Sequence, residues 1–235
     1  MIRLGADFFP AHVKAFVSDV NCDFKLPEYF SGLTVHQREY LKPFGFTDSP
    51  RWIHLRQMHG TNYIVVDEAL IAQGHKIVEA DAAVTHLSHA PVSVRIADCQ
   101  SLFVYAPDIE MIAVVHAGWK GVQQKIAQEV LRHLIDAKGA NPEFIKAAFG
   151  PSIRSCCYEV GDDVADVFPE SLVLRDGRTF LDLMQESRRQ LKELGILDEN
   201  IFDCGFCTFC DGRFFSYRRQ GEAAGRMIGV MVKEK

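Results

Sequence analysis

The sequence predicts an α/β (α+β) fold, a layered mixed sheet flanked by helices. Three observations carry that expectation. Short apolar, β-branched runs are interspersed with segments of helical periodicity, without strict βαβα alternation. Hydrophobic residues make up 48% of the 235 positions, enough to bury one substantial core. The chain shows no internal repeat, low-complexity tract or linker, so a single domain over residues 1–235 is the simplest organisation.

Residues 1–50 are mixed in pattern and predict little. The first clear strand is Thr61–Val66 in TNYIVVDE, directly after His59-Gly60. Pro91–Asp98 alternates and stops at the polar pair Asp98-Cys99. SLFVYAPD is a further strand, closed by a turn at Pro107-Asp108. Met111–Val115 is continuously apolar, and His116 stands where that strand ends. Over Gly121–Ala137 the period changes: Val122, Ile126, Val130, Leu134 and Ile135 recur at helical spacing, with Gly139 as the stop. FIKAAFG predicts a strand running into Gly150-Pro151. Phe180–Leu194 predicts a helix ended by Gly195, and RFFSYRRQG and RMIGVMVK predict two short strands.

The formal net charge of −5 supplies no general attraction for a phosphate backbone, so nucleic acid is excluded as a default partner. A small anion at a local basic site remains compatible with it. No stretch approaches ~18 uncharged apolar residues, so no membrane span is expected. MIRLGADFFPAHVKAF lacks the apolar core of a secretion signal, and a cytoplasmic location is expected. The seven cysteines are an odd number and argue against a disulfide framework.

Three polar residues stand at the edges of apolar segments: His59 in QMHGTN, Cys99 in IADCQS and His116 in VVHAGWKG. The separations, 99 − 59 = 40 and 116 − 99 = 17, are too long for a zinc-finger knuckle and suit a site assembled from separate strand ends. Two imidazoles and a thiolate are good zinc ligands, and three protein ligands leave a fourth position open for catalysis. Such an ion lowers the pKa of bound water from ~15.7 to ~7. Asp98, beside Cys99, is a candidate base or a partner that orients a ligand. On spacing alone, core packing of the cysteine and satisfied polar roles for the histidines fit as well.

QMHGTN, EADAAVT, ADC, VVHAGWKG, GPSIRSCCYEVG and FFSYRRQGEAAGRM occur in one order over roughly residues 52–232. Together they resemble the laccase-domain, or polyphenol oxidoreductase, family, whose members are also regarded as purine nucleoside phosphorylase-type enzymes. The resemblance implies one zinc held by His59, Cys99 and His116, with copper the lesser alternative. It implies phosphorolysis of adenosine, inosine and guanosine, cleavage of methylthioadenosine, and adenosine deamination, with purine nucleosides and phosphate as partners. It also implies a three-layer α/β arrangement similar to that of toxin-deamidase-like cysteine hydrolases. Three positions depart from the family pattern: Lys120 stands where Arg is usual, Ser101 where Pro is usual and Ile96 where Thr is usual. These bear on substrate preference more than on the metal.

Lys120, Arg218 and Arg219 are candidate phosphate or ribose ligands, since a phosphorylase must position an oxyanion against the anomeric carbon. SYRRQG also fits a solvated turn. GWKG resembles a glycine loop before a helix, a weak signal by itself. Trp119 and Tyr158 could stack on a base or pack. Cys204, Cys207 and Cys210 have CxxCxxC spacing, but no fourth ligand is evident and Cys156-Cys157 is a poor chelating pair, so a structural role is favoured. His86 and His89 in HLSH are expected at the surface. Two other enzyme classes compete. A copper polyphenol oxidase needs many imidazoles, and this chain has nine histidines and no His-x-His. A metal-free cysteine hydrolase or deamidase would use Cys99 as nucleophile and His116 as base. A metal-stabilised interaction protein is the non-enzymatic reading.

Overall fold

The computed structural model describes residues 1–235 apart from 6, 28, 30, 31, 47, 48 and 75. The strands, in chain order, are β1 (Ile2–Arg3), β2 (Val13–Val17), β3 (His54–Arg56), β4 (Tyr63–Val65), β5 (Ile77–Glu79), β6 (Ala82–Thr85), β7 (Val92–Ile96), β8 (Gln100–Ala106), β9 (Met111–Ala117), β10 (Lys146–Phe149), β11 (Leu172–Arg175), β12 (Arg178–Leu181), β13 (Ile201–Asp203) and β14 (Met227–Lys233). The α-helices are α1 (Val35–Leu41), α2 (Glu68–Ala72), α3 (Trp119–Gln123), α4 (Ile126–Arg132), α5 (Asp162–Ala165), α6 (Leu183–Lys192) and α7 (Tyr217–Gln220).

The strands divide between two principal sheets. A six-stranded mixed sheet has the order β13-β10-β8-β9-β6-β4, and a four-stranded antiparallel sheet has the order β1-β2-β14-β7. The α/β layering therefore matches the expectation, but the single sheet becomes two sheets packed face to face. Side-chain alternation explains the arrangement. In β9, Ala113 and Val115 pack with α3, α4 and α6 through Val122, Ile126, Val130 and Leu191. The intervening Ile112 and Val114 face the second sheet, meeting Val92, Val94, Met227 and Met231. β14 alternates in turn, and Ile228, Val230 and Val232 contact an outer layer built from Phe24, Leu41, Phe46 and Trp52. A strand sandwiched in this way has no polar face, which accounts for the continuous apolar run Met111–Val115.

The sheets approach closely around Ser101 and Phe103. A Cβ on Gly229 would lie 2.8 Å from Phe103 Cζ, so the absent side chain makes room for the ring. The crossing from one sheet to the other takes only residues 97–99, between β7 and β8.

Several element boundaries differ from the sequence expectation. The helix over 121–137 is broken at Lys125, whose φ of 62° is left-handed; α3 ends before it, α4 follows, and a π-turn runs over His133–Ala137. Gly139 and Gly195 end their segments as expected, both left-handed. Phe180 belongs to a hairpin, β11–β12, whose turn is Asp176-Gly177 with φ of 51° and 71°, and the helix starts only at Leu183. RFFSYRRQG is no strand: Ser216 caps α7, its side chain accepting from the Arg219 amide. RMIGVMVK forms β14 as expected. Among the described residues, no helix is long and apolar enough to cross a membrane.

Candidate active site

Strand register brings Cys99 and His116 together. In the β8–β9 pair Gln100 faces Ala117 and Ser101 faces His116, so the segment between Cys99 and His116 forms a hairpin whose open end carries both side chains. Extending the pair by one step sets Cys99 opposite Gly118. A Cβ on Gly118 would lie 3.1 Å from Cys99 Sγ and 3.4 Å from His59 Cδ2, so this glycine leaves space for both donors. His59 arrives from the β3–β4 loop with a left-handed φ of 58°. Its ring centroid is 4.9 Å from that of His116, at an interplanar angle of 78°. One donor atom each from His59, Cys99 and His116 falls within 4.8 Å of the others.

The group that organises this arrangement is Asp81, which the sequence reading did not single out. It is 1% exposed, and each carboxylate oxygen accepts two hydrogen bonds. Oδ1 takes the His59 amide at 2.9 Å and His116 Nδ1 at 2.8 Å. Oδ2 takes the Met58 amide at 3.0 Å and the Gly60 amide at 2.9 Å. One carboxylate thus fixes the His59 loop and the orientation of His116, leaving His116 Nε2 to face Cys99. Burial pushes the Asp81 carboxyl up, but the His116 bond and the backbone amides outweigh it and hold it below the usual carboxylate range. EADAAVT does carry a signal: an acidic residue directly before a short strand that begins Ala-Ala-Val.

Burial raises the Cys99 thiol as well, yet the charge on His116 and hydrogen bonds from His116 and His59 outweigh it and bring it to about 6. His116 is buried, which disfavours its charged form; Cys99 and Asp81 outweigh this and raise it to about 9. A thiolate beside two imidazoles is the donor set zinc takes, and it is equally the Cys–His pair of a thiol nucleophile. The residues present therefore fit a three-ligand metal with an open position.

The three donors lie in a cleft of about 850 Å³. Trp119, Tyr158 and Met58 contribute apolar surface, while Lys120, Arg218 and Arg226 bring positive charge. Arg218 lies over the Tyr158 ring at 5.4 Å and donates to the Glu159 carbonyl at 2.8 Å. Lys120 is exposed, its ammonium 5.5 Å from the Trp119 ring centroid.

Two expected site residues have other roles. Asp98, with φ at 91°, lines the cleft, but its oxygens accept from Thr208 Oγ1 at 2.6 Å, Ser216 Oγ at 3.0 Å and the Arg218 amide at 2.7 Å. A carboxylate so engaged positions the Arg218 turn and is poorly placed to act as a base. Arg219 does not line the cleft. Its guanidinium donates to the carbonyls of Thr208 at 2.9 Å, Phe209 at 2.7 Å and Phe214 at 2.5 Å, fastening one loop to another. His86 and His89 are exposed in a loop, as expected.

The profile of the family described as multi-copper polyphenol oxidoreductase laccase matches residues 15–234. The chain belongs to this family. A protein of Xylella fastidiosa named purine nucleoside phosphorylase is 38% identical over 186 residues, 74% of this chain and 69% of its own length. YlmD of Bacillus subtilis, also named purine nucleoside phosphorylase, is 33% identical, with 84% and 76% covered. A prokaryotic relative named adenosine deaminase RL5 is 34% identical over 73% of this chain and 71% of its own. The crystal structure of a hypothetical YfiH protein from Bacillus licheniformis superposes with a TM-score of 0.85 at 25% identity, covering 98% of this chain and 95% of that one. The relatives' names point to an enzyme.

Proposed function

We propose that this chain is a zinc-dependent purine nucleoside phosphorylase that also deaminates adenosine, accepting adenosine, inosine, guanosine and methylthioadenosine. The carrying observation is the convergence of His59, Cys99 and His116 at the floor of a cleft walled by aromatic and cationic side chains. Relatives named for the phosphorylase and deaminase activities support the choice of reaction.

Zinc bound by the three residues supplies a Lewis acid with an open coordination position. Asp81 keeps the Nδ1 proton of His116, so Nε2 offers a lone pair. Lys120 and Arg218 hold phosphate against the sugar, so that its oxygen attacks the anomeric carbon as the purine leaves. Trp119 and Tyr158 offer ring faces to the base, and their apolar surface limits water at the reacting carbon. Asp98 holds the turn that carries Arg218.

Purified protein incubated with adenosine, with and without phosphate, and resolved by chromatography tests the reading. Adenine with ribose phosphate, formed only when phosphate is present, is expected, together with inosine. Neither product would refute it. Copper phenol oxidation fits the donors less well. Among the described residues, the groups of His, Cys, Asp and Glu that could share an ion are this one and a four-cysteine group, and neither has more than two histidines. The depressed Cys99 thiol favours a second reading, a cysteine hydrolase. Stoichiometric alkylation of Cys99 with loss of all turnover in zinc-replete protein would favour it; protection of Cys99 by zinc favours the phosphorylase.

A further inference from the structure

Outside the cleft, four thiols converge on one point. Cys156 and Cys157 lie in the turn after Gly150-Pro151, and Cys207 and Cys210 lie in the loop after β13. All four sulfurs fall within 4.8 Å of one another. Cys210 Sγ is 3.6 Å from Cys156 Sγ and 3.0 Å from Cys157 Sγ. Four thiolates placed tetrahedrally about 2.3 Å from one zinc stand about 3.8 Å apart, close to this packing. Thiolates around an iron–sulfur cluster sit on different irons and spread further.

Contacts that involve no sulfur already assemble the cluster. Ser152 pairs with Cys207 in a parallel bridge, with the Ser152 amide donating to Phe206 O at 3.3 Å and the Thr208 amide to Ser152 O at 3.1 Å. Arg154 clamps Asp203 through two bonds of 2.7 and 2.5 Å. Within the Cys207–Cys210 turn the amides of Phe209 and Cys210 point at the Cys207 sulfur, donors that suit a metal-bound thiolate. Sequence spacing groups Cys204 with them as a third member, but it is half-buried and packs instead against the edge of the core. The missing ligands come from the Cys156-Cys157 pair, which in sequence reads as a poor chelator.

We propose that Cys156, Cys157, Cys207 and Cys210 form a second metal centre, a closed tetrathiolate site for one zinc ion. With four protein ligands it has no open position, so its role is structural. It ties the segment carrying Ile153 and Tyr158, which wall the cleft, to the loop whose Thr208 hydroxyl holds Asp98 at 2.6 Å. The centre is separate from the cleft ligands and does not depend on the reaction proposed there.

Native mass spectrometry of protein produced with added zinc and purified under reductant tests the assignment. Two zinc ions per chain are expected in the wild type. The Cys207→Ser/Cys210→Ser protein should keep one, and so should the His59→Ala/His116→Ala protein. Refilling the histidine variant with cobalt(II) should give strong thiolate-to-cobalt charge-transfer absorption; this readout stands even if the cysteine variant fails to fold. A single zinc retained by the cysteine variant and lost from the histidine variant overturns the proposal. So does a metal-free wild-type cluster recovered as a disulfide between Cys157 and Cys210. A single zinc lost only with the cysteine changes supports this centre while refuting the zinc reading of the cleft.

Discussion

Replacing Asp81 by asparagine separates the carboxylate's organising role from its size. In the native chain each oxygen accepts two donors, 2.8 and 2.9 Å on Oδ1 and 3.0 and 2.9 Å on Oδ2. The amide keeps one accepting oxygen and turns an NH2 toward the other two donors. At least two bonds to a charged acceptor disappear, each contributing about 1.5–3 kcal/mol, so roughly 3–6 kcal/mol of folding stability should be lost. With no carboxylate to hold its tautomer and direction, His116 should bind zinc about 10- to 100-fold more weakly. Urea unfolding of the metal-free proteins reads the first quantity, and competition with a chromophoric chelator reads the second. A variant within 1 kcal/mol of wild type and within threefold in zinc affinity would refute the assignment of Asp81 as the organising group.

Three further outcomes are expected. Gly118→Ala sets a Cβ 3.1 Å from Cys99 Sγ and should weaken zinc binding at least tenfold by chelator competition, with little thermal destabilisation because φ of −74° suits alanine. His54 is held neutral: burial, then the charges of Arg95 and Lys76, lower it from 6.5 to about 2. The unfolded chain therefore binds a proton below pH 6.5 that the folded chain refuses, and stability falls by about 1.4 kcal/mol per pH unit from this group as pH drops below 6.5. Subtracting the His54→Gln profile from the wild-type profile of unfolding free energy should recover that slope between pH 6.5 and 4.5, and parallel profiles would contradict it. Finally, neighbouring arginines should part company: Arg218→Ala should raise the phosphate KM by 10-fold or more, while Arg219→Ala should leave it near wild type and cost about 1–2 kcal/mol in a thermal melt.

That Cys99 and His116 stand at the ends of apolar strands, and His59 in a loop before one, is legible in sequence, and the fold brings their donor atoms within 4.8 Å of one another. Asp81 occupies the same kind of position, but its partners are backbone amides and a histidine 35 residues away, and no local pattern reveals such contacts. Arg218 and Arg219 look alike in sequence, and only the α7 turn sends one to the cleft and the other to three carbonyls. The β11–β12 hairpin had a legible turn in Asp176-Gly177, overshadowed by the helical spacing that follows it. The division of strands into two sheets left no trace, because alternation shows which residues are buried and not which strand lies across from them. The four-cysteine group joins residues about fifty positions apart, so spacing exposed only one half of it.

The short crossing at residues 97–99 makes Cys99 a rivet between the two sheets, while His116 belongs to one sheet alone. The span between thiol and imidazole is thereby geared to the gap between the sheets, and Gly229 and Phe103 set that gap a few residues away. Replacing this glycine with a larger residue would pry the layers apart and change the spacing of Cys99 and His116 without touching either. The spacing of the side chains proposed to hold zinc is thus set in the interior, apart from the residues that rim the cleft.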